Sequence, residues 1–248
     1  MSNIDSNAKI DSYQIGKNHV IENLWLLFHS VEQGQWIMKV SNAVRLHEKL
    51  KELNPKHILE LGTGIGCSAA IMAMTCPETR IYSVEQNQKC IDIAKKLIPE
   101  SLQERITFRK ATAEVVTIPQ VNPLVQWSMY KEFDWIDYDF ILVDGPGGWK
   151  TNVNLMGKSW PTFAELPNGD LINLLPKIKE GTTVYVDRRK HATILYNRHL
   201  QNYLEHIEED RNYAIYRRNG KQLNADFSNY ENSDTSIESL TKGGYFNE

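Results

Sequence analysis

No apolar run in this chain approaches the roughly 18 residues that a membrane-spanning helix needs, so no membrane partner is expected. Cysteine is scarce. Cys67, Cys76 and Cys90 are an odd set of three, without the paired spacing of a zinc site or a disulfide framework, and read as reduced packing residues of a cytoplasmic protein. Charge of one sign is lacking too. The 28 Lys and Arg against 31 Asp and Glu leave a net −3, which gives no global pull toward nucleic acid or an anionic surface. Met1 to Asp11 is polar and has no charged-then-apolar layout of a secretory signal. What remains is 248 residues, 41% apolar and 24% charged, enough for one domain with a full core.

The chain is organised around Ile58-Leu59-Glu60-Leu61-Gly62-Thr63-Gly64-Ile65-Gly66-Cys67-Ser68. An apolar run ends beside an acid, three glycines alternate, and a helix-forming segment opens: a strand, a glycine-rich turn and a helix start. Before it, apolar positions recur at threes and fours over Tyr13 to Phe28 and Ser30 to Leu53, predicting two helices. After it come a helix over Ser68 to Thr75, strands over Arg80 to Glu85 and Arg105 to Arg109, and a helix over Gln88 to Leu97 between them. Pro119 to Asp137 reads as an irregular insertion, Tyr138 to Asp144 as a buried fourth strand, and Gly145 to Gly169 as a long loop. A short helix over Leu171 to Ile178, a fifth strand over Thr182 to Asp187 and a helix over Ala192 to Ile207 follow. Tyr213 to Tyr216 and Gln222 to Phe227 flank Asn219-Gly220, a hairpin signal. This alternation predicts an α/β fold: a doubly wound, Rossmann-like, mostly parallel sheet with helices on both faces and an antiparallel hairpin at the C-terminal edge. The expected organisation is a flexible leader over 1–12, a single domain over 13–228 and a flexible tail over 229–248. Within the domain, 13–54 forms an N-terminal helical cap and 145–170 a substrate or lid loop.

The glycines do not fit a dinucleotide fingerprint, which needs Gly at the first, third and sixth positions. Counted from Gly62 the sixth is Cys67, and Gly66 falls one place early. No Gly-Lys-Ser or Gly-Lys-Thr follows for a phosphate loop. The pattern present, acid-x-Gly-x-Gly-x-Gly with Glu60 two before Gly62, resembles the first motif of class I S-adenosylmethionine-dependent methyltransferases. Glu-Leu-Gly-Thr-Gly-Ile-Gly-Cys-Ser is similar to the catechol and caffeoyl-CoA type O-methyltransferases, over about Gln33 to Asp187.

The resemblance implies a cofactor, S-adenosyl-L-methionine, held by Glu60, Gly62, Thr63, Gly64, Gly66 and Ser68. Glu85 ends the second strand, where a carboxylate can take both hydrogen bonds of a ribose diol, and Gln86 is placed to flank the adenosine. The family's acidic loop after strand three corresponds to Ala111-Thr112-Ala113-Glu114, where Thr112 stands in the acid's place and Ala113 and Glu114 are the candidates. Asp144 ends the fourth strand at the sheet mouth, beside the reacting end of the cofactor. Metal-dependent relatives hold a divalent cation such as Mg²⁺ with this Asp and an Asp-Asp or Asp-Asn pair after strand five. Asp144 and Asp187 are present here, but Arg188 takes the third place, and a guanidinium cannot ligate a cation.

Lys150, after Trp149, and His191, four residues past Asp187, are the base candidates. The runs Arg188-Arg189-Lys190 and Arg217-Arg218 fall short of a nucleic-acid footprint. The expected activity is methyl transfer to an oxygen of a small-molecule acceptor, with a homodimer left open. A regulatory S-adenosylmethionine-binding protein and a methyltransferase acting on RNA or another nitrogen or oxygen acceptor are the alternatives.

Overall fold

A computed structural model describes residues 19–31, 33–118, 122–131, 136–146, 151–155, 158–162 and 166–221. The leader over 1–12 and the tail over 229–248 lie outside the described residues. Seven strands make the main sheet: β1 (His57–Leu61), β2 (Arg80–Glu85), β3 (Ile106–Lys110), β6 (Phe140–Val143), β9 (Thr183–Asp187), β10 (Leu204–Glu209) and β11 (Tyr213–Arg218). Two short antiparallel pairs stand apart from it, β4 (Ala113–Ile118) with β5 (Asn122–Tyr130) and β7 (Thr151–Leu155) with β8 (Lys158–Thr162). The order is β3-β2-β1-β6-β9-β11-β10. The first five run parallel, and β11 turns antiparallel to β9 with β10 antiparallel beside it. The doubly wound, mostly parallel sheet with an antiparallel C-terminal edge is therefore as the sequence implied.

Side-chain alternation sorts the central strands into two cores. Ile58, Phe140, Leu142 and Tyr185 face α1 (His19–His29), α2 (Val40–Leu53), α3 (Cys67–Thr75) and α4 (Gln88–Leu97). Leu59, Leu61, Ile141, Val143, Val184 and Val186 face the opposite way, against Trp127 of β5, α6 (Asp170–Leu174) and α7 (Lys190–His199). A short α5 (Glu100–Gln103) follows Pro99 and leads into β3. The run Ala69-Ala70-Ile71-Met72-Ala73 is fully buried, and its alanines let α3 lie close to the sheet.

Several elements differ from the sequence reading. The segment read as an irregular insertion carries β5, which pairs with β4 through Val115 opposite Ser128 and Val116 opposite Trp127. The stretch read as a long loop carries the β7–β8 pair. The helix expected to reach Ile207 stops at His199, because the open sheet edge recruits Leu204–Glu209 as a strand. The edge hairpin turns at 210–212 instead of at Asn219-Gly220, with Leu204 opposite Arg218 and Glu209 opposite Ala214. The expected second arm, Gln222 to Phe227, lies outside the described residues. No helix among the described residues is long and apolar enough to cross a membrane.

Candidate active site

The strand order reverses between β2 and β6 on either side of β1, and the loops leaving their C-terminal ends open a crevice, the ligand position of open α/β sheets. Parity puts Glu60 on the α3 side of β1. It is fully buried there and accepts short hydrogen bonds from the Ser68 and Ser83 hydroxyls. Thr63 joins this network through Ser83, Oγ1 to Oγ 2.5 Å. Glu60, Thr63 and Ser68 thus sit beneath the glycine loop and brace it. Burial pushes the Glu60 carboxyl up to about 7, against the pull of the two serine hydrogen bonds.

This raised value has a stability consequence. Between an unfolded value of 4.5 and about 7 the native state keeps a proton that the unfolded chain has lost, so stability falls as pH rises through that window. Glu60→Gln removes the titration. The stability of the variant relative to wild type should rise from pH 4.5 to 8 by up to roughly 3 kcal/mol, at 1.36 kcal/mol per unit. Denaturant unfolding at several pH values measures it, and parallel profiles for the two proteins would refute it. Asp170, also held up at about 7 by burial, is common to both and cancels.

The three loop glycines all have positive φ, 103° at Gly62, 51° at Gly64 and 91° at Gly66, but their surroundings differ. A Cβ on Gly62 would lie 2.6 Å from Gly145 N, so Gly62 lets the loops after β1 and β6 touch. A Cβ on Gly66 would lie 2.7 Å from Ala94 Cβ, so Gly66 admits α4. A Cβ on Gly64 would meet nothing within 4 Å. Of the three, Gly64 is the one exposed and open to the crevice.

Glu85 ends β2 with 8% of its surface exposed. Oε2 accepts from Gly64 N at 2.9 Å and Oε1 from Asn87 N at 2.9 Å. Each oxygen keeps a second lone pair, and the carboxylate is tied to the glycine loop. Gln86 beside it is half-buried. Ala113 is buried at the start of β4 opposite Tyr130, and Glu114 pairs with Lys131 at 3.2 Å on the surface.

Asp144 follows β6, its side chain 24% exposed. Arg189 reaches across from the start of α7, donates to the Asp144 backbone carbonyl, and stands 3.6 Å from Asp144 Oδ1. Asp187 is buried at the end of β9 and accepts from Asn42 Nδ2 at 2.5 Å. Burial raises the proton affinity of both carboxyls, with the Asp187 charge adding to the effect at Asp144. His191 is exposed in the first turn of α7 and lines a hollow with Arg189, Leu166 and Pro167. Lys150 lies outside the described residues.

Five contributors were not singled out in the sequence. Asn42 and Lys39 come from the start of α2, Asn212 from the edge-hairpin turn, Arg189 from what reads as a solvated basic run, and Tyr130 from β5. The Tyr130 hydroxyl would be 2.9 Å from a Cβ on Gly145, and burial together with the Glu85 and Asp170 charges holds its phenol protonated. It therefore stays a neutral group beside the contact between Gly62 and Gly145.

A divalent ion does not fit this mouth. Arg188 replaces the third oxygen ligand, Asp187 is committed to Asn42, and Asp144 faces Arg189. Among the described residues no group of three or more His, Cys, Asp or Glu is placed to hold a metal ion. Asp144 and Asp187, doubtful as Mg²⁺ ligands from the sequence because Arg188 takes the third place, here have Arg189 and Asn42 as their neighbours.

A glycine loop locked to a strand-end acid at the reversal point of a parallel sheet defines an α/β protein that binds a nucleoside-type ligand. A family model of O-methyltransferases matches residues 17–157, more than half of the chain. The chain belongs to the O-methyltransferase family and is a class I S-adenosylmethionine-dependent methyltransferase. Its fold is shared with several solved structures. An S-adenosylhomocysteine-bound methyltransferase of Podospora anserina is 11% identical, with 82% of this chain and 89% of that one covered at a TM-score of 0.52. The O-methyltransferase TomG of Streptomyces achromogenes, solved with S-adenosylmethionine, is 12% identical over 84% and 93% at 0.53. A methyltransferase of Geobacter sulfurreducens is 12% identical over 84% and 92% at 0.53.

Proposed function

We propose that the crevice holds S-adenosylmethionine with its ribose on Glu85 and its reacting end toward Asp144, and that the methyl passes to an oxygen of a small-molecule acceptor. The observation that carries this reading is Glu85: a nearly buried carboxylate at a strand end, fixed by Gly64 and Asn87 amides, beside the open face of Gly64. A ribose diol satisfies the two remaining lone-pair directions of such a group. When bound, the cofactor supplies an electrophilic methyl on a sulfonium.

The chain's own residues have three tasks. Glu60, Thr63 and Ser68 hold the loop from below, and Gly62 seats it against Gly145. Gln86 and Ala113 line the adenosine side. Tyr130 keeps water from the reacting end, and Asp144, its proton affinity raised by burial and by Asp187, takes the hydroxyl proton of the acceptor. His191 is exposed and is the weaker candidate for the proton.

Calorimetry of the full chain with S-adenosylmethionine, S-adenosylhomocysteine and NAD(P) tests the ligand. Heat from the two adenosyl ligands and none from NAD(P) is expected, and the reverse would sink the reading.

A further inference from the structure

The mouth of the site is held together by one residue of the edge hairpin. Asn212 O accepts from Arg188 N at 2.7 Å and from Asn42 Nδ2 at 3.1 Å, while Asn212 Oδ1 accepts from Lys39 Nζ at 2.9 Å. Asn42 Nδ2 in turn holds Asp187. This unit gathers Lys39, Arg188 and Arg189 around two carboxylates. Arg189 is spent inward: its side chain is 11% exposed, against the Asp144 and Pro146 carbonyls. Lys39 and Arg188 are exposed at the rim.

Arg188 also sits in a left-handed backbone conformation, φ 48°. Asn enters that region far more readily than Arg does, and Asn is also a residue that metal-dependent relatives place there. Keeping Arg sacrifices both backbone ease and the third oxygen ligand, and what it adds is an exposed positive charge at the rim. Asp210 also joins the unit, its Oδ1 accepting from Asn212 N at 2.9 Å, so the positive charge lies with the exposed Lys39 and Arg188 side chains and not with the unit as a whole.

We infer that this mouth is an anion seat in place of a metal seat: Arg188, with Lys39 alongside, receives a carboxylate or phosphate carried by the acceptor, and no divalent ion takes part. The inference rests on the methyltransferase reading above and names the class of its acceptor. An acceptor with its own anionic group pairs directly with the rim, and a guanidinium matches a carboxylate or phosphate in geometry.

The test uses the full chain as wild type, Arg188→Asn and the control Arg217→Gln, whose arginine is exposed on β11. Asn suits the left-handed position, so the first variant should fold at least as well as wild type by thermal unfolding. S-adenosylhomocysteine is titrated first, and its failure to bind wild type would count against the cofactor reading alone. Inorganic phosphate is then titrated with and without that ligand, and Mn²⁺ is followed by its free-ion paramagnetic resonance signal. Phosphate affinity should fall at least about tenfold in Arg188→Asn, or 1.4 kcal/mol, and hold in Arg217→Gln, with the wild-type Mn²⁺ signal undiminished. Equal phosphate affinity in the two variants, an adventitious ion only, would overturn the inference. So would Mn²⁺ binding to wild type with a dissociation constant below about 1 mM.

Discussion

Replacing Gly62 by Ala should lower the melting temperature by on the order of 10 °C. The added Cβ would stand 2.6 Å from Gly145 N and 2.7 Å from the Asp144 carbonyl carbon and oxygen. None of these is a flexible side-chain end. Leu61 and Val143 are paired in register, Asp144 N donates to Leu61 O at 2.8 Å, and Gly62 N donates to Val84 O at 3.0 Å. The backbone is therefore pinned from three strands and cannot give way. Backbone strain at φ 103° adds about 1–3 kcal/mol, and overpacking adds about 1–3 kcal/mol more. Against a total stability of roughly 5–15 kcal/mol this is a large fraction. Gly64→Ala provides the contrast, since its Cβ meets no atom within 4 Å and only strain is added. Thermal unfolding of both variants checks the pair. If Gly62→Ala melts within two or three degrees of Gly64→Ala, the account of the Gly62–Gly145 contact is wrong.

The parts of the site that were readable in the sequence are those carried by one continuous segment. Strand, glycine turn and helix start announce themselves locally, and Glu85, Asp144 and Asp187 each end an apolar run, which marks the mouth of a parallel sheet. The glycines' separate duties were not readable, because Ala94, Ile98 and Gly145 approach them from distant sequence. Nor was the Asn42–Asp187 bond, which joins residues 145 positions apart. Arg189 looked like one of three solvated charges. Its place beside a strand-end Asp was the available hint, but only the geometry turns it inward. Leu204 to Glu209 misled for another reason. Its acids suit a solvated helix, and they equally suit an edge strand whose charges discourage further pairing. The sheet's need for a partner to β11 decided between them. Pro119 and Pro123 concealed the β4–β5 pair, and with it the position of Tyr130.

Glu85→Ala should weaken binding of S-adenosylhomocysteine by about 1–3 kcal/mol, roughly tenfold to a hundredfold, the scale of charged hydrogen bonds lost from a buried site. Two effects point the same way. The ligand loses its ribose acceptor, and the Gly64 and Asn87 amides lose the carboxylate that fixes them, so the loop is less well prepared to receive it. Their separation comes from Glu85→Gln, which can keep one amide-to-carbonyl bond but must present an NH₂ donor to the other amide. If loop fixing dominates, Gln should fall between Glu and Ala in both thermal stability and affinity. If the ribose contact dominates, Gln should match wild type in stability while losing most of the affinity. Burial raises the proton affinity of Glu85 against the pull of backbone amides, those of Asn87 and Gly64 foremost. Ligand binding should therefore weaken as pH drops and the carboxylate takes up a proton, because a carboxyl group is one acceptor short for a diol. Isothermal calorimetry on the three proteins at neutral and mildly acidic pH decides the matter. An Ala variant that binds S-adenosylhomocysteine as tightly as wild type would remove Glu85 from the cofactor site and, with it, the main support for how the ligand lies in the crevice.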